Sequence, residues 1–161
     1  MVWYRRVSMT VGVTAAVLTV LAAPASAQEV TYRLAGVETA ATSTQGTFAG
    51  LAISVDDFGT WGAVVLHEQL DDVSLILGGG FSLDGQVRNL QGLILPGGQI
   101  VRVSGSCRKE TFEVTGQVML LSTGELGEFE ITLTHYGRRV PGGCITFFAT
   151  VEGEFTFTPA P

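Results

Sequence analysis

Apolar and polar residues alternate with a period of two along most of the chain beyond residue 30, the pattern of β-strands that bury one face. The alternation is cleanest where Phe129, Ile131, Leu133 and His135 are interleaved with Glu128, Glu130, Thr132 and Thr134. A longer run closes the chain. Ile145, Phe147, Ala149, Val151, Gly153, Phe155 and Phe157 share one parity, and Thr146, Thr150, Glu152, Glu154 and Thr156 share the other, which only Phe148 interrupts. Phe112, Val114, Gly116, Val118 and Leu120 form a third stripe, and Leu51, Ile53 and Val55 a shorter fourth.

Turn signals separate these runs at hairpin-like intervals: Asp56-Asp57-Phe58-Gly59, Asp84-Gly85, Pro96-Gly97-Gly98, Ser122-Thr123-Gly124 and Pro141-Gly142-Gly143. Glycine at such places supplies the positive φ that tight hairpins require. The spacing predicts about eight to ten strands, hence an all-β domain folded as a single antiparallel β-barrel, with a β-sandwich as the alternative. Closure is preferred because long strands coil and a barrel leaves no exposed edges. Ala63, Leu66, Leu70, Val73 and Leu77 also fit helical spacing, but Trp61, Ala63, Val65 and His67 alternate equally well and Val64-Val65 is β-branched, so strands are expected there. Gly-x-Phe occurs at Gly46, Gly127 and Gly153 without a regular period, which suggests glycines within strands covered by aromatic neighbours rather than a repeat.

The start of the chain follows another rule. Arg5 and Arg6 precede an apolar run from Val7 to Ala23, and Ala25-Ser26-Ala27 places small residues at the −3 and −1 positions of a cleavage site. Residues 1–27 therefore read as a cleaved secretory signal peptide, and residues 28–161 as one domain, periplasmic or extracellular. The alanine-rich leader and scarcity of lysine point to a bacterial source. Loss of Arg5 and Arg6 moves the net charge from −6 to −8, which argues against nucleic acid as a partner. The two cysteines, Cys107 and Cys144, allow one pairing, and in an exported chain they read as a disulfide.

No catalytic set stands out. His67-Glu68-Gln69-Leu70-Asp71 has aspartate where a zinc-protease helix needs its second histidine, and no Gly-x-Ser-x-Gly elbow is present. Neither a metal site nor a cofactor is assigned. Glu128 with Glu130, and Glu152 with Glu154, share a sheet face but lie opposite the apolar stripe, so they read as outer, solvated positions. The acidic turns Asp56-Asp57 and Asp71-Asp72 would bind calcium weakly only if they were adjacent. More informative is what a disulfide would gather. Arg108 and Lys109 follow Cys107 directly, while Arg138 and Arg139 precede Cys144 in a loop entered through His135 and Tyr136. These six residues form a candidate basic rim for an anion or carboxylate.

In general look the pattern resembles small exported barrels of the calycin or allene-oxide-cyclase-like type. That resemblance is one of architecture and rests on no diagnostic residues. The reading that follows is a secreted, non-catalytic barrel that binds a small apolar ligand in its interior, or an anionic ligand or partner at the basic rim. One alternative is a lumen enzyme of cyclase or isomerase type using His67, Glu68 or Tyr136 as acid or base. Another is a structural or surface-assembly protein, marked by an exposed apolar patch instead of a pocket. Insertion into a membrane as a barrel is disfavoured by the short strands and the disulfide.

Overall fold

The computed structural model describes residues 28–159. Nine strands follow in chain order: β1 (Val30–Ala41), β2 (Gln45–Ile53), β3 (Phe58–His67), β4 (Val73–Gly85), β5 (Asn89–Ile94), β6 (Gln99–Gly105), β7 (Lys109–Leu120), β8 (Leu126–Val140) and β9 (Gly143–Phe157). They form one antiparallel sheet that closes on itself through the β3–β4 pairing. The described residues form a single barrel, as the alternation predicts. The stretch from Ala63 to Leu77 is strand, turn and strand.

Strands β5 and β6 share one place in the wall. Both pair with β4 and with β7, β5 along one half of each neighbour and β6 along the other. The barrel therefore has eight staves, one of them broken. The break is Pro96-Gly97-Gly98, which the sequence suggests as a hairpin and which instead kinks a continuing stave. Gly97 takes a positive φ of 101° there, and its N–H donates to the Ile76 carbonyl across the gap.

Side chains of the inward parity fill the interior. Tyr32, Leu34, Trp61, Phe81, Phe112, Phe129, Val151 and Phe155 are all buried, and the Phe155 ring packs 4.8 Å from Phe81 and 5.6 Å from Phe157. The void left among them is about 40 Å³, lined only by apolar side chains. That would hold a water or two by volume, but it offers a water no polar partner. Aromatic cover of glycines appears as expected at Gly46, which lies under Phe48. The same device crosses strands, with Phe129 over Gly116 and Phe155 over Gly127.

Two stripes depart from the simple parity reading. Leu51, Ile53 and Val55 face outward and are exposed, because the inward positions of β2 are the small Gly50 and Ala52 and Trp61 lies opposite Gly50. Ile145 and Phe147 are also exposed. A bulge between Tyr136 and Gly137 shifts the β8–β9 register, so the inward stripe of β9 begins only at Ala149. Beyond that bulge the β8–β9 hairpin overhangs the barrel mouth.

The outer wall is divided by chemistry. On β7, β8 and β9 the outward residues include Glu113, Glu128, Glu130, Glu152 and Glu154, all exposed. From β2 to β5, Asp84 is the only Asp, Glu, Lys or Arg in any strand. An apolar interior and a wall studded with carboxylates invert the pattern of a membrane-spanning barrel. Among the described residues, no helix is long and apolar enough to cross a membrane.

Candidate functional site at the disulfide end

Antiparallel order sends the β1–β2, β3–β4, β6–β7 and β8–β9 connections to one end of the barrel. Cys107, in the β6–β7 turn, bonds to Cys144 at the start of β9, with Cα atoms 5.3 Å apart. The disulfide read from the sequence is thus formed. It ties the overhanging hairpin to the neighbouring turn, and the Gly137 N–H donates to the Arg108 carbonyl beside it (3.1 Å).

The fold brings the six rim residues to this end but divides them among three surroundings. Arg108 and Arg138 line one shallow depression of about 580 Å³ together with Gly137, Ile145 and Phe147. Arg139, opposite Cys144, and Lys109, opposite Tyr136, are exposed beside it. Among the described residues, none of these four cations is ion-paired with a carboxylate. Tyr136 lies on the outer face, stacked on Phe148 with ring centroids 5.9 Å apart. His135 turns inward.

His135 belongs to a polar ring just inside the mouth. Its Nε2 stands 3.3 Å from a Glu38 carboxylate oxygen, and both side chains are almost wholly buried, at 11% and 10% exposure. Phe112 packs against the histidine ring at 5.4 Å, and the Arg102 guanidinium lies 5.8 Å from the Phe112 ring centroid. Arg102 is held by Glu110 at 2.8 Å and Asp72 at 3.3 Å. Above this ring a second cleft, of about 310 Å³, is walled by the disulfide. Because Arg102 is already matched by two carboxylates, the uncompensated positive charge lies outside, on the rim.

The other residues weighed for acid–base work do not converge. His67 is buried at the end of β3, and its Nδ1–H donates to the Glu68 carbonyl at 2.5 Å. The Glu68 side chain accepts from the Leu75 N–H on the exposed side. The acidic turns stand at opposite ends of the barrel, which removes the condition for a shared calcium site. Asp57 instead serves a buried knot at the far end. Its carboxylate accepts from the Tyr32 hydroxyl (2.5 Å) and from the N–H groups of Phe58, Val87 and Arg88 (2.9, 2.9 and 3.0 Å). Burial pushes the Asp57 carboxyl up, but these donors outweigh it and hold the group below the ordinary range. Burial and the same hydrogen bond push the Tyr32 hydroxyl up to about 12. Arg88 grips Asp56 with both terminal nitrogens, at 2.9 and 2.8 Å, and holds that carboxyl down at about 2. All of these groups are satisfied by one another, so the knot is a structural pin.

Sequence reasoning missed Glu38, the partner of His135, because a single carboxylate in a Thr- and Ala-rich strand carries no pattern. It also missed Ile145 and Phe147 as surface residues. Gly137, within an otherwise alternating strand, is the available sign of the bulge that exposes them. Comparison with protein-family models, with characterised proteins and with solved structures returns no match.

Proposed function

We propose that this chain is an exported, non-catalytic binding barrel that recognises an anionic amphiphile, a carboxylate or phosphate head on an apolar body, at its disulfide-linked rim. One observation carries the reading: Arg108 and Arg138 enter the same depression as Ile145 and Phe147, without a carboxylate to neutralise them among the described residues. Two guanidinium forks suit a planar or tetrahedral anion, and the exposed Ile and Phe side chains suit the carbon chain that follows it. Acidic walls elsewhere on the barrel repel the same anion, so binding is directed to this end.

The interior supports a rim reading over a lumen reading. Its void of about 40 Å³ is far below the roughly 300–1,000 Å³ of small-molecule pockets. Export fits the signal-like residues 1–27, which lie outside the described residues, and the disulfide is compatible with it. The test is calorimetric titration of the protein with decyl phosphate, kept below its micelle concentration. Binding should weaken at least tenfold in the Arg108→Ala/Arg138→Ala double variant and fall with added salt. Equal affinity in the wild-type and variant proteins, or no binding at millimolar ligand, would overturn the proposal.

A further inference from the structure

We infer that the apolar wall from β2 to β4, on whose strands Asp84 is the only Asp, Glu, Lys or Arg, is an interface with a second copy of this chain. Leu51 and Ile53 on β2, Val64 and Leu66 on β3, Leu77 on β4 and Leu93 on β5 point outward, each between 38% and 55% exposed. With Phe58 and Leu75 they present roughly 600 Å² of apolar surface, at the top of what a monomer ordinarily shows and close to the ~800 Å² per partner of a stable dimer.

The shape of this wall favours a copy of itself. Val64 and Leu66 form a ridge along β3. Beside it on β4, Gly78 and Gly80 leave a bare furrow, paired in register with Leu66 and Val64. Gly79 is required by the chain's own packing, since a side chain there would strike the Val64 carbonyl. Gly80 is not: a Cβ at that position would meet nothing within 4 Å, and its φ is one that any residue adopts. Nothing within the barrel keeps the furrow bare at that position. A ridge lying next to a furrow is self-complementary under a two-fold axis, each ridge entering the other copy's furrow, which is the isologous arrangement of most homodimers.

Charge agrees with the choice. The glutamates of β7, β8 and β9 lie on the far side of each barrel, so a dimer joined through β3 and β4 keeps them apart and screened at physiological salt, while Asp84, opposite Thr60, lies along β4 away from the Val64–Leu66 ridge. The rim at the disulfide end stays open in both copies.

Sedimentation velocity of the purified protein from about 1 to 100 µM is the test. A dimer should form within that range. Gly80→Arg should abolish it, or weaken it at least tenfold, with an unchanged circular dichroism spectrum and a melting temperature like that of the dilute wild type. Leu66→Arg should do the same, while Thr132→Arg on the acidic wall should leave the dimer intact. If the wall variants fail to fold, hydroxyl-radical footprinting of the wild-type protein replaces them, with Leu66 and Leu77 protected at 100 µM relative to 1 µM. A monomer throughout the range, a dimer insensitive to both wall variants, or unchanged footprints would overturn the inference. So would a monomer that attaches to neutral phosphatidylcholine vesicles through the same wall.

Discussion

Replacing Asp57 by alanine should be among the most damaging single changes to this barrel. The carboxylate accepts four hydrogen bonds, from the Tyr32 hydroxyl and from the backbone N–H groups of Phe58, at the start of β3, and of Val87 and Arg88 in the β4–β5 connection. Tyr32 is completely buried, so its hydroxyl has no water to turn to. Each stranded donor costs about 1–3 kcal/mol, less for the amides that water can reach, and breaking a buried charged cluster typically costs about 3–5 kcal/mol. We therefore expect a loss of about 4 kcal/mol at pH 7, which moves a urea midpoint down by about 2 M for a domain of this size. The pH dependence has a definite sign. The folded pKa of Asp57 lies below its unfolded value, so its contribution is complete above the unfolded pKa of about 3.9 and disappears as pH falls through the folded value. The gap between wild type and Asp57→Asn should accordingly narrow in acid. Tyr32→Phe should couple to Asp57→Ala by about 1.5 kcal/mol or more in a double-mutant cycle read by urea unfolding. A cost below 1 kcal/mol for Asp57→Ala, or additivity of the two changes, would refute the pin.

Other consequences are equally open to measurement. Removing the disulfide with Cys107→Ser/Cys144→Ser should cost roughly 4 kcal/mol on the chain-entropy model, since it closes a sequence separation of 37, and denaturant unfolding of the oxidised protein and the variant gives the difference. Glu130 and Glu154 stand directly opposite each other on β8 and β9, so Glu130→Lys should stabilise the barrel by about 0.5 kcal/mol, visible as a higher melting temperature that high salt diminishes. Phe155→Ala should cost about 3–5 kcal/mol and enlarge the small interior void enough to take up benzene, detected as a benzene-dependent rise in melting temperature that the wild type lacks.

What could be read from the sequence, and what could not, divides along a physical line. A period of two reports which residues share a face, and for β7 and most of β8 the apolar face is the buried one, as in Phe112, Val114, Val118 and Leu120. The period does not say which face is inward when both are apolar. On β2 the small residues Gly50 and Ala52 went inside because Trp61 needed the space, and Leu51 and Ile53 were left outside. A bulge is equally silent in the alternation. The extra residue on β9, Phe147, facing the Tyr136–Gly137 step of β8, turned Ile145 and Phe147 from core into the apolar floor of the candidate site. The gathering of Arg108, Lys109, Arg138 and Arg139 was legible because one covalent link decides it. The Tyr32–Asp57–Arg88 knot was not, since its members are far apart in the chain and joined mainly through backbone N–H groups that no side-chain pattern records.

The central claim, an anion held at the disulfide end with its apolar body on the hairpin, is tested most directly by ¹H–¹⁵N NMR mapping of decyl phosphate on the labelled protein. Shifts that saturate together at Arg108, Gly137, Arg138, Ile145 and Phe147 are predicted. Shifts confined to the barrel interior or to the β2–β4 wall, or none at millimolar ligand, would contradict it.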